Sequence, residues 1–208
     1  MALSQQALRK KREKTKQKRV VKLASRPMLG NNPIEWPIYE CWVPGDLFEK
    51  GLGIVVLSRI NERGSIAVAS YLIDPYCLGV KDCSSRLVEF NEYQDLIEQL
   101  RRGCEVMAVT PNYVKTLIVQ AVDYAKDLGF KPHADFSKAG KMLNGISLDP
   151  TLEFVFGKNG KPTYVQGGLE SVKEARNIVV TLMTGAGKDN CDICLSGADQ
   201  EDIFDAVT

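Results

Sequence analysis

A single histidine, His133, serves the whole 208-residue chain, and that scarcity excludes a catalytic metal centre built on several imidazoles. Also missing is any charge-free stretch of roughly 18 residues, the length a helix needs to cross a bilayer. After the basic run at the start, only Val20, Val21, Leu23 and Ala24 are apolar, too few for the hydrophobic centre of a secretory signal. An organellar transit peptide fits the first 26 residues only in part, because Lys and Gln outnumber Ser there. No membrane segment is expected, and no internal repeat is visible. The six cysteines run from Cys41 to Cys194 in a chain large enough to build a core without covalent staples, so reduced thiols and a cytoplasmic location are expected.

What the chain does have is charge sorted along its length. Met1 to Arg26 holds 10 of the 27 basic residues and one of the 26 acidic ones, Glu13, which leaves 17 against 25 for the rest. Six acids (Asp189, Asp192, Asp199, Glu201, Asp202, Asp205) follow the last lysine, Lys188. The expected organisation is a basic arm at 1–26, one globular domain at 34–187 and an acidic tail at 188–208. Within the arm almost nothing apolar recurs, so a helix there has no stripe to bury.

The body opens with a Pro- and Gly-rich linker, followed by strands expected at Ile38 to Val43 and Ile54 to Ile60. In a third strand Ile66, Val68, Ser70 and Leu72 point one way and Ala67, Ala69, Tyr71 and Ile73 the other. Both faces are apolar, so this strand should be covered on each side. Ser85 to Phe90 is read as a fourth strand, and Asn91 as the cap of a helix from Glu92 to Arg101. Thr110 and Pro111 open a long helix whose apolar positions run from Val114 to Leu128 at spacings of three and four, ending at Gly129. A short helix is expected at Phe136 to Leu143. Leu152 to Phe156 and Thr163 to Gln166 flank Asn159-Gly160 and read as a late β-hairpin, and Val172 to Leu182 as a last helix. Strands first and helices after give an α+β class with a mainly antiparallel sheet covered by helices.

Chemistry concentrates just past the third strand, at Asp74, Cys77 and Asp82, to which His133 is added as the one imidazole. Carboxylates at Asp74 and Asp82, joined by Glu89 or Asp135, would suit magnesium in phosphodiester hydrolysis. Cys77 with His133 would make a thiol nucleophile and its base. The plainer reading ranks ahead of both: Asp74-Pro75 starts a turn, Asp82 pairs at the surface, and Cys77 is a small buried hydrophobe. Cys191-x-x-Cys194 is half of a zinc site and needs two more ligands. Gly185-Ala186-Gly187-Lys188 is not a phosphate loop, since it ends a helix and lacks the four-residue spacer.

The arm has the strongest physical case. Arg9, Lys10, Lys11, Arg12, Lys14, Lys16, Lys18 and Arg19 would release counterions from a phosphate backbone, with RNA or a ribonucleoprotein as the natural partner. Trp36, Trp42 and Phe48 offer a third possibility, an interface for a homo-oligomeric scaffold.

The blocks Tyr39-Glu40-Cys41-Trp42-Val43, Leu72 to Asp82 (LIDPYCLGVKD) and Asp127 to His133 (DLGFKPH) resemble an uncharacterised family of bacterial intracellular proteins over about Ile38 to Thr184. That family carries no established activity, so the resemblance transfers no catalytic role. It implies only that Cys77, Gly79, Lys81, Asp82 and His133 lie in the blocks to inspect first.

Overall fold

The computed structural model describes residues 32–195. Its centre is an antiparallel meander, β1 (Ile38–Pro44), β2 (Gly53–Ile60), β3 (Ile66–Asp74) and β4 (Gly79–Val88). A short α1 (Leu47–Lys50) fills the first connection. Asn61 turns the second, its side-chain oxygen accepting from the backbone of Arg63 and Ser65 at 2.9 Å each. After α2 (Phe90–Gly103) the chain adds a three-residue strand, β5 (Val106–Ala108), beside β1, giving the order β4-β3-β2-β1-β5.

The two faces of β3 separate as its sequence dictates. Ala67, Ala69, Tyr71 and Ile73 meet Val114, Leu117, Ile118 and Ala121 of α3 (Pro111–Asp127), while Ile66 and Val68 meet Val56 and the α2 residues Tyr93 and Ile97. The α3 helix begins where its cap predicts: Thr110 Oγ1 accepts from Tyr113 N at 3.3 Å, with Pro111 at the first helical position. One helix on each face makes an α+β sandwich of three layers. No helix among the described residues is long and apolar enough to cross a membrane.

Four boundaries differ from the sequence reading. β4 begins at Gly79 instead of Ser85, because Gly79 at φ 63 closes a tight reversal on Asp74. The α2 helix starts at Phe90, behind Glu89 and ahead of the expected cap Asn91. Phe136 to Leu143 forms as α4 (Phe136–Ala139) continued by a 3-10 turn (Gly140–Leu143). The late hairpin is reduced to its turn. Lys158 and Lys161 exchange both backbone bonds across Asn159 and Gly160, at φ 56 and 80, but the ladder stops there.

On the near side of that turn, 152–156 lies over α3 and has no strand partner among the described residues. Gln120 takes the partner's place, its amide donating to Leu152 O at 2.8 Å and accepting from Phe154 N at 3.0 Å. On the far side β6 (Thr163–Val165) pairs in parallel with β7 (Asp192–Cys194), apart from the main sheet. The α5 helix (Val172–Ala186), opened by a capping box of Ser171 and Glu174, packs Ala175, Val179 and Leu182 into a second core with Cys77, Leu128 and Tyr164. β7 lies in the stretch that the sequence assigns to the acidic tail.

Arg59 is buried on β2 with no carboxylate partner among the described residues. Its guanidinium donates to the carbonyls of Trp36 (2.7 Å), Asn144 (2.7 Å) and Met142 (3.0 and 3.2 Å), tying the segment before β1 to the end of the 3-10 turn.

Candidate functional site

The reversal between β3 and β4 places Asp74 at its base. Its Oδ1 accepts from Tyr76 N at 2.9 Å and Cys77 N at 3.0 Å, an Asx turn that satisfies two backbone donors inside the protein. Burial raises the carboxyl's pKa, against the opposing pull of the Cys77 N–H, the Lys81 charge and the Leu78 and Tyr76 N–H groups. Cys77 follows with its side chain fully enclosed in the second core, and burial, reinforced by Asp74, pushes its thiol far above the usual range.

Asp82 and His133 form a separate, half-exposed pair. His133 Nδ1 lies 3.8 Å from Asp82 Oδ1 and 3.9 Å from Asp135 Oδ2, and it accepts from Asp135 N at 3.2 Å. The backbone N–H of His133 donates to Val80 O at 3.0 Å, so the loop after α3 lies along the outer edge of β4.

The four expected residues therefore divide into two pairs with different surroundings. Asp74 and Cys77 stabilise a turn beneath α5, whereas Asp82 and His133 face solvent. A thiol nucleophile must ionise and meet its substrate; Cys77 is placed for neither, and His133 is engaged elsewhere. Among the described residues no three His, Cys, Asp or Glu side chains gather to hold a metal ion, so the magnesium site expected from Asp74, Asp82 and Glu89 or Asp135 has no donor set there.

The Cys191-x-x-Cys194 expectation meets a backbone reason. Cys191 is extended (φ −134, ψ 157) and leads straight into β7. In extended chain, side chains three apart project to opposite faces, and accordingly Cys191 is buried and Cys194 exposed. Two thiols so placed do not grip one zinc ion, which requires a tight turn between them.

Comparison with protein-family models, curated proteins and solved structures gives no significant match.

One cluster joins Lys81 of β4 to the loop before α5 and has no local signature in the sequence. Lys81 pairs with Glu170 Oε1, while Glu170 Oε2 accepts from Tyr164 OH at 2.5 Å and from Gly167 N at 2.8 Å. This network fastens the loop before α5 to β4 and to β6. Nothing in Gly167-Gly168-Leu169-Glu170 marks that glutamate as half-buried. The half-buried Trp36, Trp42 and Phe48 are all packed within the chain, Trp36 and Phe48 on the core under α3, Trp42 on the core under α2 with Arg101 4.7 Å over its ring. The cations Arg9 to Arg19, and the acids from Asp199 onward, lie outside the described residues.

The Asp74 environment makes a pH prediction. A folded pKa raised above the unfolded value near ~3.9 gives stability that is full below that value and lost as pH rises through the folded one. Asp74→Asn keeps the accepting oxygen but removes the titration. Thermal melts should show the variant gaining on the wild type as pH increases from 4 to 8; a constant difference in Tm over that range refutes the assignment.

Proposed function

We propose that this protein is a cytoplasmic RNA-associating protein, whose basic segment 1–26 grips the phosphate backbone while the folded part acts as a non-catalytic body. The observation that carries the reading is the sorting of charge, with ten cations against one acid in those 26 residues and an acidic excess in the rest. An acidic body repels phosphate, so contact concentrates on the arm. The cations neutralise phosphates and release condensed counterions, which gives affinity that depends little on base sequence and steeply on salt. The division of Asp74, Cys77, Asp82 and His133 into a buried pair and a surface pair favours this reading over a hydrolase.

Fluorescence anisotropy with a labelled single-stranded RNA provides the test. Engaging six to ten phosphates of a single strand would lower affinity by about 10²–10⁴ between 50 and 200 mM salt. The full chain should show that slope, and a chain starting at Pro27 should lose binding at every salt concentration. Equal affinity of the two, or a flat salt dependence, rejects the proposal.

A further inference from the structure

Between α2 and the sheet face that carries Val68 lies a cavity of about 330 Å³, within the range of small-ligand sites. Helix and sheet close fully on one side of it only. Tyr93 and Ile97 are buried against Val56, Ile66, Val68 and Val88, whereas Leu96 and Leu100 of the same helix stay half-buried and, with Ile54 of β2, line the cavity. Leu52, 40% exposed just ahead of β2, lines it too. Four large aliphatic side chains thus border one open space.

The polar part of the lining is small and has a definite layout. Ser70 of β3 and Ser84 of β4 line the cavity as register partners, and side chains opposed in this way have Cβ atoms about 4.5–5.5 Å apart. One ligand oxygen can therefore reach both hydroxyls, accepting from one and donating to the other. Neither hydroxyl has a hydrogen-bond partner among the described residues. The charges of the lining are already matched: Lys50 pairs with Asp46, Arg86 pairs with Glu92, and Arg86 Nη2 is enclosed by protein. A charged head group would leave water here and gain no free counter-charge, which costs far more than burying a hydroxyl that keeps its hydrogen bonds.

We propose that this cavity binds a neutral alkyl compound with one terminal hydroxyl, the class of medium-chain primary alcohols, its oxygen between Ser70 and Ser84 and its hydrocarbon chain along Leu52, Ile54, Leu96 and Leu100. The apolar walls supply the driving force, which grows with the area removed from water, and the serine pair fixes the orientation. A hydrocarbon without the hydroxyl would strip water from both serines and replace none of its hydrogen bonds. This proposal is independent of RNA association, since none of its residues belongs to the arm.

Nuclear magnetic resonance of the full chain titrated with 1-octanol, octanoate and octylammonium tests it. Octanol should produce saturable amide shifts that include Ser70, Ser84 and Leu100 and fit one site, and each ion should bind at least about ten-fold more weakly, because its charge goes unpaired. Replacing both serines, Ser70→Ala with Ser84→Ala, should weaken octanol binding about two- to ten-fold for each hydrogen bond lost. Leu96→Trp, which fills the chamber, should abolish binding while leaving the circular dichroism unchanged. Shifts that fail to saturate or that spare Ser70, Ser84 and Leu100, an ion that binds as tightly as octanol, unchanged affinity in the double serine variant, or retained binding in Leu96→Trp overturns the proposal. Should Leu96→Trp fail to fold, the wild-type shifts and the serine variant decide it by the same outcomes.

Discussion

Leu117→Ala is expected to lower the unfolding free energy by about 2–5 kcal/mol, and Ile118→Ala by a similar amount. Both side chains are fully buried, in the layer where α3 meets Ala67, Ala69, Tyr71 and Ile73 of β3. Two features place these substitutions toward the upper end of that range. The facing strand is rich in alanine, which has no longer rotamer to swing into a void. Further, α3 is fixed at its start by the Thr110 cap and along its length by Gln120, so the helix cannot settle inward to close the gap. Set against a total of about 5–15 kcal/mol for a domain, either loss takes a large share. Urea denaturation monitored by circular dichroism checks it; an unchanged midpoint for either variant removes that residue from the core.

Gly79→Ala should be as damaging for a different reason. The residue adopts φ 63, which costs a residue with a Cβ about 1–2 kcal/mol, and the added methyl would sit 2.5 Å from Ala121 O and 2.7 Å from Ala125 Cβ. The first obstacle is helix backbone, so relief requires the β3–β4 corner to lift from α3, at a further cost of about 1–3 kcal/mol. That corner carries Asp74 and Cys77. The same scan should show Gly64→Ala affected less, since its Cβ position is open and only the positive φ is penalised. A Gly79→Ala protein no less stable than Gly64→Ala would contradict the close approach.

Much of this architecture is written locally. The alternation of β3 fixes which side chains face α3 and which face α2, and Thr110-Pro111 fixes where α3 starts, because each is decided by neighbours within a few residues. The late hairpin shows the limit. Asn159-Gly160 dictates a reversal and delivers one, but whether the flanks continue as a ladder depends on Gln120, more than thirty residues away, and on β7, whose strand character is concealed in an acidic stretch. Three-residue β5 has too short a pattern to signal itself. At the candidate site, the Asx turn at Asp74 follows from the Asp-Pro pair, whereas the Lys81–Glu170 pair and the unpaired edge of Arg86 arise from tertiary packing and have no local signature. An arginine two residues from a serine on a half-polar strand reads as surface until a helix is laid over it.

The sheet's two margins bear on how copies of this protein meet. At one, β5 offers only three residues; at the other, the His133 N–H holds Val80 O near the start of the ten-residue β4. A second chain that added itself as a strand would therefore be directed to β4 beyond Val80, where polar and charged residues such as Asp82, Ser84 and Arg86 alternate along the edge and discourage continuous pairing.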